Sequence, residues 1–295
     1  MSQNELIEAI YLAHQDKLIT SNVTNEPIVY SSAHPIYRAT KQACLNLGFI
    51  DKDAECLAYA WKVMYEKNSR IEPDQWPDQP EYFGLEQNHV LDASPRCPKS
   101  LGLYVVAPNA EWIEKLVHLN VPTVQLRFKS SDIDAVEQQV IKSIAICKNS
   151  NSRLFINDHW ELAIKHGAYG IHLGQEDLDD ANVLMIKQAG LRLGLSTHGY
   201  AEMIRADKFH PSYIALGAIF PTTLKKMETS PQGLGRLKAY AQLFKHYPLV
   251  GIGGVDETTM DAVLSTGVGS VAVVRAVINA TNLEGTVEYL LKKFN

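Results

Sequence analysis

No apolar run in this 295-residue chain approaches the roughly 18 residues that a membrane-spanning helix needs. Its start, MSQNELIEAI, carries an acid where a secretory signal wants cations and an apolar stretch, so the chain is expected to stay in the cytoplasm. Cysteine is scarce: Cys44, Cys56, Cys97 and Cys147 show neither C-x-x-C nor C-x-x-H spacing. That argues against a disulfide framework and a zinc knot and leaves four reduced thiols. The Asn22-Val23-Thr24 sequon means nothing in such a chain. Positive charge is not in excess either. With 28 Lys and Arg against 33 Asp and Glu the net charge is −5, which gives no global attraction to nucleic acid or an anionic membrane. Any basic site must be local.

What is present is ordinary globular usage, 46% hydrophobic and 21% charged, which rules out collagen, coiled-coil and wholly disordered chains. Residues 1–70 read as a helical N-terminal region. Leu6, Ile10 and Ala13 share one helical face, Ile36, Ala39, Ala43 and Leu47 a second that ends at Gly48, and Cys56, Leu57, Ala60, Trp61 and Met64 a third behind Asp51. Five of the thirteen prolines (Pro73, Pro77, Pro80, Pro95 and Pro98) then crowd residues 71–100, which read as an interdomain linker. On that reading the remainder should fold from about Pro98 onward.

From residue 101 to 295, short β-branched runs alternate with amphipathic ones. The strand runs are LYVVA (103–107), TVQLR (123–127), RLFIN (153–157), GIHLG (170–174), RLGLS (192–196), YIALG (213–217), LVGIG (249–253) and SVAVV (270–274). Eight βα units of this length predict a lean (β/α)8 barrel, an α/β TIM barrel preceded by the small helical region. An open doubly wound sheet is the rival, although the first strand lacks a G-x-G-x-x-G turn.

Barrel chemistry sits at the carboxyl ends of the strands. There, alternation puts Gln125, Arg127 and Lys129 on one side, pointing to the mouth. Asn157-Asp158 ends the third strand, and His172 precedes a loop containing Asp177. Two carboxylates from adjacent strand ends suit Mg²⁺, which takes its other oxygens from water and phosphate, though Asp158 or Asp177 could equally cap the next helix. His172 reads as pocket lining or as a satisfied core histidine. Ser196, and the pair Thr222 and Lys225, offer hydroxyls and a point charge for phosphate. Gly253-Gly254 and Val274-Arg275 lie just before helices, where backbone N–H groups approach an anion. No Ser/His/Asp triad or close acid pair accompanies them, so the pattern points to phosphate chemistry.

The series QLRFK, LFINDHWELAIKHGAYGIHLGQEDL, GLRLGLSTH, SYIALGAIFPTTLK, VGIGGV and GVGSVAVV resembles thiamine-phosphate synthase in order and spacing across essentially all of 101–295. The resemblance implies a transferase. It joins 4-amino-2-methyl-5-(diphosphooxymethyl)pyrimidine to 4-methyl-5-(2-phosphooxyethyl)thiazole, giving thiamine phosphate and diphosphate with magnesium (Mg²⁺) as cofactor. It also implies a pyrimidine contact at Gln125, diphosphate contacts at Arg127, Lys129, Asn157, Thr222 and Lys225, and metal ligands Asp158 and Asp177. Ser196 becomes a hydroxyl near the reacting centre, with Gly253, Gly254, Val274 and Arg275 at the thiazole phosphate; Lys129, Ser196 and Lys225 are the catalytic candidates.

This chain departs from the family pattern at Leu224, where the family reads T-x-T-K, at Arg275, in place of serine, and at Ser130, in place of an acid or amide. A thiazole tautomerase paralogue, or a catalytically weak barrel that binds thiazole or thiamine phosphate, are the competing readings. The partners expected are small-molecule substrates, without nucleic acid or membrane, and a homo-oligomer stays open. Residues 1–70 faintly resemble the C-terminal helices of hydroxymethylpyrimidine phosphate kinase. Where that family has a G-T-G-C anion-hole turn, this chain has Ser32-Ala33-His34-Pro35, so no kinase activity is expected.

Overall fold

The computed structural model describes residues 1–22, 27–85, 93–222 and 229–294. It begins with α1 (Gln3–Leu18), α2 (Pro35–Asn46) and α3 (Asp51–Asn68). A capping box starts α1: the Glu5 N–H donates to the Ser2 hydroxyl, and the Ser2 N–H donates to the Glu5 carboxylate. Pro35 takes the first position of α2, where a missing N–H costs nothing. Leu6, Ile10, Ala39, Ala43, Trp61 and Met64 meet in one apolar cluster, as their periodicity predicts. Ala13 does not join it. That residue is exposed, and the next one, His14, turns inward to bond the Pro73 carbonyl at 2.9 Å and to set its ring edge against Trp76.

The strands are β1 (Gly102–Ala107), β2 (Thr123–Leu126), β3 (Arg153–Asn157), β4 (Gly170–Leu173), β5 (Arg192–Thr197), β6 (Tyr213–Leu216), β7 (Leu249–Ile252) and β8 (Ser270–Val273). Each pairs in parallel with the next, and β8 returns to β1, closing the expected barrel. Every strand boundary lies within one residue of its sequence run. The helices are α4 (Ala110–His118), α5 (Ile133–Lys148), α6 (Trp160–His166), α7 (Asp177–Asp180), α8 (Val183–Gln188), α9 (Tyr200–Asp207), α10 (Gly233–Leu243), α11 (Met260–Leu264), α12 (Arg275–Ile278) and α13 (Leu283–Leu291). Side chains of Asn109 and Asp132 cap α4 and α5. Among the described residues no helix is long and apolar enough to cross a membrane.

Inside the barrel, rings occupy space that glycine leaves. Gly170 pairs with Phe155 and Gly194 with Tyr213 in the strand register. A Cβ on Gly194 would come within 2.1 Å of the Tyr213 ring, and one on Gly170 within 2.5 Å of Phe155. Burying a large apolar side chain in this way stabilises by roughly 1.5–3 kcal/mol.

The apolar shell between strands and helices continues into the N-terminal region, where Leu18, Leu47, Phe49 and Leu57 join Tyr200, Leu237 and Tyr240 in one cluster. Arg236 of α10, 1% exposed, stands at this junction. Its guanidinium donates to the carbonyls of Leu18 at 2.8 Å and Leu47 at 2.9 Å and lies 3.6 Å over the Phe49 ring. Those carbonyls close α1 and α2, so one cation meets the negative ends of two helices. Asp53 of α3 accepts the Ala201 N–H at 2.9 Å and caps α9, whose own N-cap residue, Gly199, has no side chain. The stretch 71–100 contributes Trp76, which donates to the Tyr200 hydroxyl at 3.0 Å, and Phe83, stacked on the Tyr200 ring.

Candidate active site

A cavity of about 1020 Å³ opens at the carboxyl ends of the strands. Gln125, Arg127, Lys129, Asn157, Asp158, His172 and Asp177 line its β2–β4 arc, Ser196 lies at the end of β5, and Thr222, Gly253, Gly254, Val274 and Arg275 complete the β6–β8 arc. Lys225 and Leu224 lie outside the described residues.

Gln125 is buried at the end of β2, the Arg127 N–H continues the pairing by donating to the Ala107 carbonyl at 2.8 Å, and the period of two carries Lys129 to the same side. Lys129 ion-pairs with Asp158. Asp158 itself has φ +64, a left-handed conformation that aspartate tolerates better than most residues. Its carboxylate does not cap α6, whose N-cap is His159 without a side-chain bond. Asp177 opens α7 and folds back to accept the Gly174 N–H at 2.9 Å, which holds its carboxylate at the cavity wall.

The donor chemistry of this arc fits Mg²⁺. Asp158 and Asp177 are hard oxygen donors that line the same cavity. An ion that takes one or two carboxylates and fills its shell with water and phosphate matches that set.

Below the mouth runs a chain of buried hydrogen bonds that strand-end reasoning missed. Gln125 donates from Nε2 to Asn157 Oδ1 at 2.7 Å and accepts at Oε1 from the Tyr104 hydroxyl at 3.0 Å. Tyr104 has then used its one proton, so the Tyr213 hydroxyl, 2.8 Å away, donates to it. Tyr213 in turn accepts from Nδ1 of His172 at 2.6 Å. In the neutral ring Nε2 is therefore the acceptor, and it takes the Ser196 hydroxyl proton at 2.8 Å. Burial pushes both tyrosine hydroxyls well above their usual range, which keeps the chain protonated. Tyr104 lies within β1 and Tyr213 begins β6, both short of the carboxyl ends where mouth residues are looked for. A signal for Tyr213 was the glycine opposite it in the preceding strand, Gly194; Tyr104, opposite Thr123 and Ala272, carried none.

On the opposite arc, the loops after β6 and β7 touch. Ile219 and Phe220 donate from their N–H groups to the carbonyls of Ile252 and Gly253 at 3.0 and 2.9 Å. Gly253 (φ +104) and Gly254 (φ +69) are required there, since a Cβ would strike Ala218 at 2.5 Å or the Pro221 carbonyl at 2.7 Å. Val274 precedes α12 with no side-chain cap, so the first N–H groups of that turn lie where the cavity is lined by Val274 and Arg275.

A closed (β/α)8 barrel whose polar residues converge at the carboxyl ends of its strands defines a barrel enzyme with its active site at the mouth. The family model described as thiamine monophosphate synthase matches residues 103–277, and the chain belongs to that family. The thiamine-phosphate synthase of Neisseria meningitidis serogroup A is 52% identical over 188 residues, covering 64% of this chain and 92% of the relative. That of Serratia proteamaculans is 50% identical over 198 residues, covering 67% and 93%. The solved thiamine phosphate pyrophosphorylase from Pyrococcus furiosus is 26% identical, with a TM-score of 0.59 over 66% of this chain and 95% of that one.

Proposed function

We propose that residues 101–295 form a transferase domain of thiamine biosynthesis that joins the pyrimidine diphosphate to the thiazole phosphate, with residues 1–70 and 71–100 as its appended region and connection. One observation carries this reading: Arg127, Lys129, Asp158 and Asp177 share a single cavity with the glycine pair Gly253-Gly254 and the N-terminus of α12. One arc suits a metal-bound diphosphate and the other a monophosphate.

Beyond its bonds to Tyr104 and Asn157, the Gln125 amide has one further N–H and one further lone pair, a donor–acceptor edge that matches an aminopyrimidine. The thiazole nitrogen attacks through its ring lone pair and has no proton to lose, so no strong base is needed. As the C–O bond to diphosphate breaks, the aminopyrimidine delocalises the positive charge left on its methylene. Arg127 and Lys129 stabilise the departing anion, with Asn157, Thr222 and, from the sequence, Lys225. Magnesium held by Asp158 and Asp177 would neutralise charge on that leaving group. His172 orients the Ser196 hydroxyl beside the reacting centre.

A coupled assay for thiamine phosphate from the two substrates tests the reading. Product forms with Mg²⁺ and not without it. If saturating substrates and Mg²⁺ give no product while thiazole phosphate still binds, the chain is a tautomerase or a binding barrel instead.

A further inference from the structure

The loop that leaves β6 carries Thr222 to the cavity and returns into α10. Its stem is closed by two backbone bonds, from Gln232 N–H to the Ala218 carbonyl and from Gly233 N–H to the Ile219 carbonyl, both 2.9 Å. Just before that closure stands Ser230, and every polar group of this residue is engaged by a side chain. Its N–H donates to Asn22 Oδ1 at 2.9 Å, its carbonyl accepts from Gln232 Nε2 at 2.8 Å, and its hydroxyl bonds the Ser21 hydroxyl at 2.9 Å.

Two of those three partners lie in the N-terminal region, directly after α1. The same region grips the start of α10. The Lys17 carbonyl lies so close to Gly235 that a Cβ there would approach it to 1.8 Å. Arg236 bonds the Leu18 and Leu47 carbonyls and reaches Gln232 Oε1 at 3.4 Å, and the Tyr240 hydroxyl donates to the same oxygen at 2.8 Å. Gln232 is thus fixed at one end by the helix junction and holds Ser230 at the other.

We propose that the N-terminal helical region is a positioning element of the active site, with Ser21 and Asn22 clasping Ser230 at the return of the β6–α10 connection whose outgoing end sets Thr222 in the cavity for the diphosphate. The proposal rests on the assignment of that loop to the diphosphate. Ser21 and Asn22 are positioning residues and touch no substrate.

The test is Ser21→Ala/Asn22→Ala in the full chain, which also removes the Asn22 bond to the Gly48 carbonyl but touches none of the Arg236 bonds to Leu18 and Leu47. The KM for the pyrimidine diphosphate, and the Kd of inorganic diphosphate titrated calorimetrically with Mg²⁺, should each rise about five- to tenfold, as for the loss of one or two hydrogen bonds that fix a binding loop. The KM for thiazole phosphate should stay within about twofold and Tm should barely move. An active enzyme with unchanged diphosphate constants overturns the clasp and leaves the synthase reading standing. Parallel loss of affinity for both substrates together with Tm marks a purely structural role and overturns it too. If the unaltered chain makes no thiamine phosphate, the synthase reading fails, and the diphosphate titration still decides the clasp: a weaker Kd in the double variant supports it, and equal or absent binding in both proteins overturns it.

Discussion

The Tyr213 hydroxyl lies 2.6 Å from Nδ1 of His172 and 2.8 Å from the Tyr104 hydroxyl, so one phenol on β6 links the pyrimidine side of the site to the Ser196 side. Removing it breaks both links at once. Tyr213→Phe should lower kcat/KM by roughly ten- to a hundredfold and stability by roughly 1–3 kcal/mol, since Tyr104 and His172 each lose a buried partner. Steady-state kinetics beside thermal denaturation separate the two effects. An enzyme with unchanged kinetics and lower Tm would show that the chain of bonds serves folding alone.

Asp158→Ala and Asp177→Ala should each abolish turnover at saturating Mg²⁺ and leave thiazole phosphate binding nearly intact, because Gly253, Gly254 and α12 lie on the other arc. Calorimetric titration with thiazole phosphate checks the second half. Full activity in either variant with saturating Mg²⁺ would remove that residue from the metal site.

Asp53 predicts a pH dependence with a definite sign. Burial, opposed by the Ala201 N–H and by Arg236, raises its carboxyl to about 6. A carboxyl that is harder to ionise in the folded state contributes stability that is fully present at pH values below the unfolded-state range near 4 and lost as pH rises through about 6. Asp53→Asn keeps the oxygen that caps α9 and cannot ionise. Its Tm should therefore vary less between pH 4 and 7 than that of the parent chain, with a relative gain at pH 7 of up to about 3 kcal/mol. Melting curves at three pH values suffice, and parallel pH profiles for the two proteins would refute the assignment.

Arg236→Met should cost roughly 3 kcal/mol or more, because two helix-terminal carbonyls buried at the junction lose a charged donor. Starting the chain at Pro98 goes further. It strips the partners from Arg236, Tyr200 and Leu237 and should lower Tm and soluble yield relative to the full chain, which differential scanning of both proteins would measure. Equal melting temperatures would mean that the barrel is self-sufficient.

The barrel was legible because its strands are buried on both faces and read as short apolar runs, and because chemistry in this architecture gathers where those runs end. Gln125, Arg127, Asn157, Asp158 and Ser196 could be found by that rule alone. Tyr104 and Tyr213 could not, since an aromatic short of a strand's carboxyl end looks the same whether it fills a core or orders a histidine. The junction was illegible for another reason. In GLGRLKAYAQL, Arg236 reads as an ordinary helical cation, and Asp53 reads as a first-turn acid; only the approach of segments remote in sequence makes one a cap for two helices and the other a cap for a third.

The bonds from Arg236 to Leu18 and Leu47 span 218 and 189 positions of sequence, which sets an order of events during synthesis. At roughly 5–20 residues per second, Leu18 and Leu47 are made some ten to forty seconds before their guanidinium partner. Through that interval, the apolar face of Leu18, Leu47, Phe49 and Leu57 is uncovered, and the nascent chain is exposed to aggregation or chaperone capture until α10 emerges to meet it.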